Sequence, residues 1–185
     1  MQSLDLSGSE TRTESRLKSL FWPSIRTGSD VDYLSTQGFW VCTLIATLSL
    51  VYLTLQRKPL IGGLVSLLYF LSGVGVRERS RYAAAVVFVS YVTDAVLGGA
   101  GVVRILFSAL LLSNLRATWI ASHWKPGSDA ASLPPRFSDT WTDKIADQMP
   151  MWLWPKIRIA YYVVSIGYIL LVTIGLLTLV RHRFN

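Results

Sequence analysis

One acidic residue and one arginine interrupt long apolar stretches of this sequence. Asp94 is the only acid inside an apolar run, and Arg104 follows it beyond the glycine-rich segment 98–101. A turn at the glycines predicts the two side chains at about the same depth, since each lies close to the turn. Charged groups inside a membrane mark functional or paired positions. We favour an ion pair that locks a helical hairpin; a gate or proton-relay position is the alternative, although no deeper acid or histidine is present.

Three tyrosines raise a related question. Tyr69, Tyr91 and Tyr168 lie deep inside apolar runs, where they could form an aromatic lining. Tyrosines near helix ends are ordinarily interfacial residues, and these three are the ones too deep for that explanation.

The string Trp-Pro-x-Ile-Arg occurs twice in the chain. It runs from Trp22 to Arg26 and again from Trp154 to Arg158. Tryptophan is enriched at the headgroup level, proline favours helix starts and arginine marks the cytoplasmic boundary, so two independent boundary segments explain the strings. The alternative is a docking surface in which both strings present an aromatic and cationic face to a partner.

Asn114 and Arg116 form another candidate contact at the end of an apolar run. The favoured interpretation is that Arg116 extends its guanidinium to the interface along its aliphatic stem. The alternative is a basic pocket that binds the phosphate of a lipid, anionic lipids being the natural partners.

Motifs of enzymatic chemistry are missing from the sequence. It contains neither GxSxG nor HExxH. His123 and His182, the two histidines, are predicted on opposite sides of the membrane, so they cannot share a metal or a haem. Cys42 is the single cysteine, which excludes an internal disulfide. We therefore expect a non-catalytic protein without a metal or other cofactor.

Composition indicates a membrane protein. Of 185 residues, 51% are hydrophobic and 16% are charged, against about 25% charged in soluble domains. The net charge of +7 does not indicate nucleic-acid binding, because the cations cluster at the ends of apolar runs, where they set topology and meet lipid headgroups.

The apolar runs predict about five transmembrane helices. Spans are expected at 38–55, 60–76 and 159–180, and the stretch 83–121 is too long for one crossing of a core about 30 Å thick. The glycines at 98–101 divide that stretch into a third and a fourth span. A re-entrant hairpin at 83–121 is the alternative.

Cation counts set the predicted orientation. With five spans, one side of the membrane carries twelve Lys and Arg residues: Arg12, Arg16, Lys18, Arg26, Arg77, Arg79, Arg81, Lys125, Arg136, Lys144, Lys156 and Arg158. The other side carries four: Arg57, Lys58, Arg181 and Arg183. Arg104 and Arg116 lie inside apolar runs and are left out of the count. A single crossing at 83–121 would give nine against seven. Because loop cations are retained in the cytoplasm, the N-terminus is predicted inside and the C-terminus outside.

Two amphipathic helices are predicted on the cytoplasmic surface. Leu17, Leu20, Phe21 and Ile25 recur at helical spacing, as do Phe137, Trp141 and Ile145 before the last span. The sequence thus predicts an all-α polytopic protein: a cytoplasmic segment at 1–37, a four-span bundle at 38–121, a cytoplasmic loop at 122–158, and a fifth span with a short tail at 159–185.

The stretch Arg-Glu-Arg-Ser-Arg-Tyr-Ala-Ala-Ala at 77–85, the glycine turn and the exit Asn-Leu-Arg-Ala-Thr-Trp at 114–119 resemble a layout of short, uncharacterised bacterial polytopic membrane proteins. The resemblance covers the first four spans and implies a bacterial inner membrane but no activity. We expect an accessory or scaffolding subunit that binds other membrane subunits or itself. A small oligomeric channel or transporter using Asp94 and Arg104 is the alternative.

Overall fold

The described part of the chain contains five long helices. A computed structural model describes residues 21–25, 28–99, 101–123 and 153–184. In chain order, the helices are α1 (Gly28–Leu55), α2 (Pro59–Arg77), α3 (Arg81–Leu97), α4 (Val102–Ala121) and α5 (Leu153–Phe184). All except α3 are long and apolar enough to cross a membrane. The described chain is therefore all-helical with four candidate membrane spans, and α3, with 17 residues, extends about 25 Å.

Two predicted boundaries lie inside helices. The first helix begins at Gly28, ten residues before the predicted span, and α5 begins at Leu153, six residues before its predicted span. The helices therefore begin before the predicted membrane spans do. The apolar run identifies only the part of a helix that can lie in the hydrocarbon core. The helical hydrogen bonds of the backbone continue beyond it into turns with polar side chains. Asp30 in the first turn of α1 favours that extension through the helix dipole.

The predicted breaks between the first four helices agree with the structure. Helix α2 begins with Pro59 in its first turn, and the break between α3 and α4 falls at the predicted glycine turn. Of the predicted interfacial helices, Phe21 is helical whereas residues 22–25 are not. Pro23 accounts for that end, because a proline disfavours helical backbone at the residue before it. Residues 16–20 and the predicted helix at 137–150 lie outside the described residues.

In the hairpins α1–α2 and α2–α3, the residue with left-handed backbone after the first helix is an arginine. Arg57 has φ 58° and Arg79 has φ 55°. After α1, the Lys58 N–H donates to the Leu53 carbonyl at 2.9 Å and the Arg57 N–H donates to Thr54 at 2.9 Å. This is a Schellman motif, in which glycine is the usual left-handed residue. The same bonds recur after α2, where Arg79 also pairs with Asp32 of α1.

Arg57→Gly is expected to raise the free energy of unfolding by about 1 kcal/mol, because a left-handed L-residue costs about 1–2 kcal/mol that glycine does not incur. Denaturant titration in detergent micelles measures the change. Arg79→Gly is the matched variant. Its free energy of unfolding should rise by less, because this substitution also removes the salt bridge to Asp32. An equal or larger gain for Arg79→Gly would contradict this account.

The first four helices form a closed ring. Helix α1 packs against α2 and α4, and α3 packs against the same two helices. Helix α5 lies outside the ring, where it packs against α2. Buried apolar side chains from all four ring helices, including Ile45, Tyr69, Val87 and Leu111, form one core cluster.

Small residues allow the ring helices to approach closely. A Cβ on Gly73 would lie 2.8 Å from Cβ of Cys42 and 3.3 Å from the carbonyl oxygen of Phe39, both on α1. A Cβ on Gly38 would lie 2.7 Å from Val76. Helices in membranes associate through such close packing, because apolar side chains gain little from leaving an apolar solvent.

Candidate functional site

The candidate site is a carboxylate shared by three helices. Asp94 of α3 accepts a hydrogen bond of 2.7 Å from the hydroxyl of Tyr69 on α2. The hydroxyl of Tyr168 on α5 lies 3.3 Å from one Asp94 oxygen and 3.5 Å from the other. The carboxylate thus joins the ring to α5, and its bonds to hydroxyl donors offset part of the cost of placing it between helices.

Aromatic rings surround this carboxylate. Tyr69 is 2% exposed, and its ring meets Tyr91 edge-on at 6.3 Å between centroids. Tyr91 in turn meets Phe107 of α4 at 6.2 Å. The three deep tyrosines singled out in the sequence therefore come together around Asp94. We call Asp94, Tyr69, Tyr91 and Tyr168 the carboxylate cluster.

Asp94 lies three residues before the end of α3, close to the turn that leads to α4, and Tyr69 and Tyr168 reach it from the middle parts of their helices. Asp94 is 13 residues from the start of α3, about 20 Å along the helix axis, and Tyr168 is 15 residues into α5, about 22 Å. Tyr69 lies near the middle of α2. Side chains lean toward the N-terminus of their helix, which carries the Tyr69 hydroxyl toward the depth of Asp94 because α2 and α3 are antiparallel.

The predicted ion pair between Asp94 and Arg104 is not formed in the structure. Arg104 donates a hydrogen bond of 2.7 Å to the carbonyl of Gly99 in the preceding turn, and its guanidinium lies over Gly98. Arg104 belongs to the first turn of α4, so its side chain leans back toward the turn. The tyrosine hydroxyls take the carboxylate oxygens instead, and the two charged groups have separate partners.

Two more tyrosine hydroxyls attach α5 to the ring. Tyr161 and Ser72 of α2 share a hydrogen bond of 2.7 Å, and Tyr162 and Ser80 share one of 3.0 Å. Ser80 also caps α3, because its Oγ accepts from the N–H of Ala83 at 3.4 Å. With Tyr168, these bonds form a row of three tyrosine contacts, the α5 hydroxyl row.

The second tryptophan-proline string has a structural role. Trp154 is 7% exposed and packs against the rings of Tyr161 and Tyr162. A Cβ on Gly75 would lie 2.7 Å from the Trp154 ring, so the glycine makes room for the indole. Trp154 therefore faces the protein interior, whereas Arg158 is exposed.

The first string has a different arrangement. The Trp22 ring is 45% exposed and lies under the guanidinium of Arg116, 4.7 Å from its centroid. Arg116 also donates a hydrogen bond of 3.1 Å to the carbonyl of Pro23. Cation–π stacking and this bond fix the segment 21–25 to the end of α4. Arg26 lies outside the described residues.

Asn114 is buried in the ring. Its amide nitrogen donates to the carbonyl of Leu110 at 3.1 Å, and its oxygen, which has no hydrogen-bond partner in the structure, faces Gly38 of α1. The residue is 1% exposed. This location places Asn114 away from the lipid surface, while its neighbour Arg116 reaches the edge of the ring.

Metal-binding chemistry has no candidate among the residues that the structure describes. They contain no group of three His, Cys, Asp or Glu side chains that could hold an ion. His123 is exposed, with Nδ1 2.9 Å from the carbonyl oxygen of Trp119. Cys42 is buried and reduced.

No protein-family model, curated protein or solved structure matches this chain.

Sequence reasoning missed the α5 hydroxyl row. The signal was present, since Tyr161 and Tyr168 are seven residues apart and so lie on one face of a helix. Ser72 and Ser80 gave no such signal, because serines are common in membrane helices and their pairing depends on how α2, α3 and α5 pack.

Proposed function

We propose that this chain is a five-span integral membrane protein, with its N-terminus in the bacterial cytoplasm, that serves as a non-catalytic accessory or scaffolding subunit of a membrane assembly. The observation that carries the proposal is the attachment of α5. One face of this helix binds the ring through its hydroxyl row, and the opposite face is exposed among the residues that the structure describes.

The bare face has the spacing of a helix–helix contact. Ile159, Val163, Ile166, Leu170 and Leu177 are each 57–69% exposed. They follow one another at intervals of four, three, four and seven residues, the heptad repeat with which one helix packs along another. We call these five residues the α5 outer stripe. Helix α5 is attached to the ring by one face and exposed on the other. The exposed face is therefore suited to pack against a transmembrane helix of a neighbouring protein.

The use of the ionisable groups supports a non-catalytic role. Asp94 is engaged by two tyrosines from other helices, and Arg104 is engaged by its own turn. Both charged side chains thus contribute to holding helices together. A scaffold needs such contacts, whereas an enzyme needs reactive groups directed at a substrate.

Gentle extraction from the native membrane followed by native mass spectrometry tests the proposal. Wild-type protein is expected to carry other polypeptides, which Val163→Ala with Leu170→Ala in the outer stripe should release. Ile105→Ala with Leu112→Ala, at exposed positions of α4, is the matched control and should retain them. A closed homo-oligomer free of other polypeptides would overturn the accessory role.

The five-span topology predicts an exposed turn between α3 and α4 on the outer side. Gly101 is exposed and has open space around its Cβ position, so Gly101→Cys is a suitable probe. Cys42 is buried and should remain silent toward an impermeant thiol reagent. We expect labelling of intact cells at Gly101→Cys. Protection from outside, with labelling only after lysis, would exclude a fully crossing hairpin.

A small oligomeric channel or transporter is the second candidate. The observation that favours it is the Asp94 carboxylate within the helical layer, together with the hydroxyls of Ser90 and Ser113, which are buried without a partner in the structure. Flux of protons or solutes in proteoliposomes tests it. Asp94→Asn should abolish flux without loss of folded protein if this candidate is correct, and equal flux with empty liposomes would exclude it.

A further inference from the structure

A lateral groove separates part of α5 from α2. It encloses about 570 Å³, and its walls include Leu64, Leu68 and Leu71 of α2 and Ala160, Val164 and Gly167 of α5. Leu64 is 70% exposed and Val164 is 61% exposed, so the groove opens away from the ring. We call it the α2–α5 groove. It arises because Ala160 and Gly167 are small where the helices face each other.

The groove is lined by hydrocarbon. Two tyrosines reach it, but the hydroxyl of Tyr161 is bonded to Ser72 and that of Tyr168 to Asp94. Water requires two to four polar partners, which these walls do not offer. A hydrocarbon occupant is therefore favoured.

The groove is about as long as a lipid acyl chain. Along α5 the lining runs from Ile157 to Tyr168, which is about 16 Å at 1.5 Å per residue. Half of a hydrocarbon core is about 15 Å thick.

Positive charge marks one end of the groove. Lys156 and Arg158 flank Ile157, the first lining residue of α5, and both are exposed. Cations at the end of a membrane helix attract the phosphates of anionic lipids. The opposite end, at Tyr168, is apolar apart from the hydroxyl that Tyr168 directs toward Asp94. The order along α5 is thus that of a phospholipid, with a charged head followed by a chain.

We propose that the α2–α5 groove binds one anionic phospholipid, with an acyl chain between α2 and α5 and the headgroup phosphate at Lys156 and Arg158. The inference requires that α2 and α5 lie in a bilayer, and it does not depend on the accessory role. A bound chain completes the packing that α5 lacks on this side. The lipid then acts as a structural partner of the last helix.

Native mass spectrometry of the full chain, equilibrated with equal amounts of dioleoyl phosphatidylglycerol and dioleoyl phosphatidylcholine, tests the proposal. Wild-type protein is expected to retain one phosphatidylglycerol. Gly167→Phe fills the groove, and its Cβ meets no atom within 4 Å, so occupancy should fall about tenfold, equivalent to about 1.4 kcal/mol. Gly175→Phe, also in open space but outside the lining, is the matched control and should bind as wild type does.

A second pair of variants tests the headgroup. Lys156→Gln and Arg158→Gln should each lower the preference for phosphatidylglycerol over phosphatidylcholine about fivefold.

If Gly167→Phe does not fold, Ala160→Leu, at an exposed lining position, provides the filling variant. Undiminished lipid retention in a folded filling variant, or equal retention of the two lipids by wild type, would overturn the inference. Wild-type protein that carries no other polypeptide after gentle extraction, but still binds the lipid, would refute only the accessory role.

Discussion

Asp94→Leu is expected to lower the free energy of unfolding by about 3 kcal/mol and to loosen α5 from the ring. The substitution removes the acceptor of hydrogen bonds from Tyr69 and Tyr168. Bonds to a charged group contribute about 1.5–3 kcal/mol, and the Tyr69 hydroxyl, on a side chain only 2% exposed, is left unpaired. Denaturant titration in micelles measures the loss, and trypsin sensitivity of α5 reports its release.

A double-mutant cycle separates this explanation from a general packing defect. Tyr69→Phe and Tyr168→Phe remove one hydroxyl each, and their effects should not add to that of Asp94→Leu, because the carboxylate they serve is already gone. Asp94→Asn keeps an acceptor oxygen and should cost less than the leucine variant. Additive losses for Asp94→Leu and Tyr69→Phe would show that the hydroxyl–carboxylate bond is not the source of the stability.

Gly73→Val is expected to destabilise the ring by about 3 kcal/mol, near the upper end of ordinary overpacking effects. Its Cβ alone would lie 2.8 Å from Cβ of Cys42 and 3.3 Å from the backbone oxygen of Phe39. A backbone atom cannot move aside without a shift of α1. Thermal unfolding in micelles, followed by circular dichroism, measures the loss.

Gly63→Val is the matched control on the same helix. Gly63 is exposed and its Cβ would meet nothing within 4 Å, so the substitution should change stability by less than about 0.5 kcal/mol. Equal losses of stability for Gly63→Val and Gly73→Val would show that valine disturbs α2 itself. The close contact with α1 would then not explain the loss at Gly73.

The helical class and the breaks between helices could be predicted from the sequence. Long apolar runs, Pro59 and the glycines at 98–101 are local signals, and the structure places helix boundaries at each of them. The beginnings of α1 and α5 were missed by ten and six residues, because a helix continues past its apolar part wherever backbone bonds and caps sustain it. Sidedness and the number of crossings stay predictions.

The carboxylate cluster could be predicted only in part. Depth in the apolar run identified Asp94 and the three tyrosines, and the structure brings them together. The predicted partner of Asp94 was wrong. Sequence spacing placed Arg104 at the same depth as Asp94, but it contained no information on which helix faces α3. The tyrosines of α2 and α5 reach the carboxylate because those helices pack beside α3, a tertiary property that local spacing does not encode.

The position of α5 outside the ring has a consequence for biosynthesis. Chains are made from the N-terminus, so α1 to α4 can close their ring before α5 is synthesised. Until Tyr161, Tyr162 and Tyr168 are in place, Ser72, Ser80 and Asp94 lack the tyrosine hydroxyls of α5 that bond to them in the folded protein. We therefore expect newly made protein to pass through a stage in which the last helix is not yet attached to the ring. That stage is when the nascent chain most needs the insertion machinery to remain beside it.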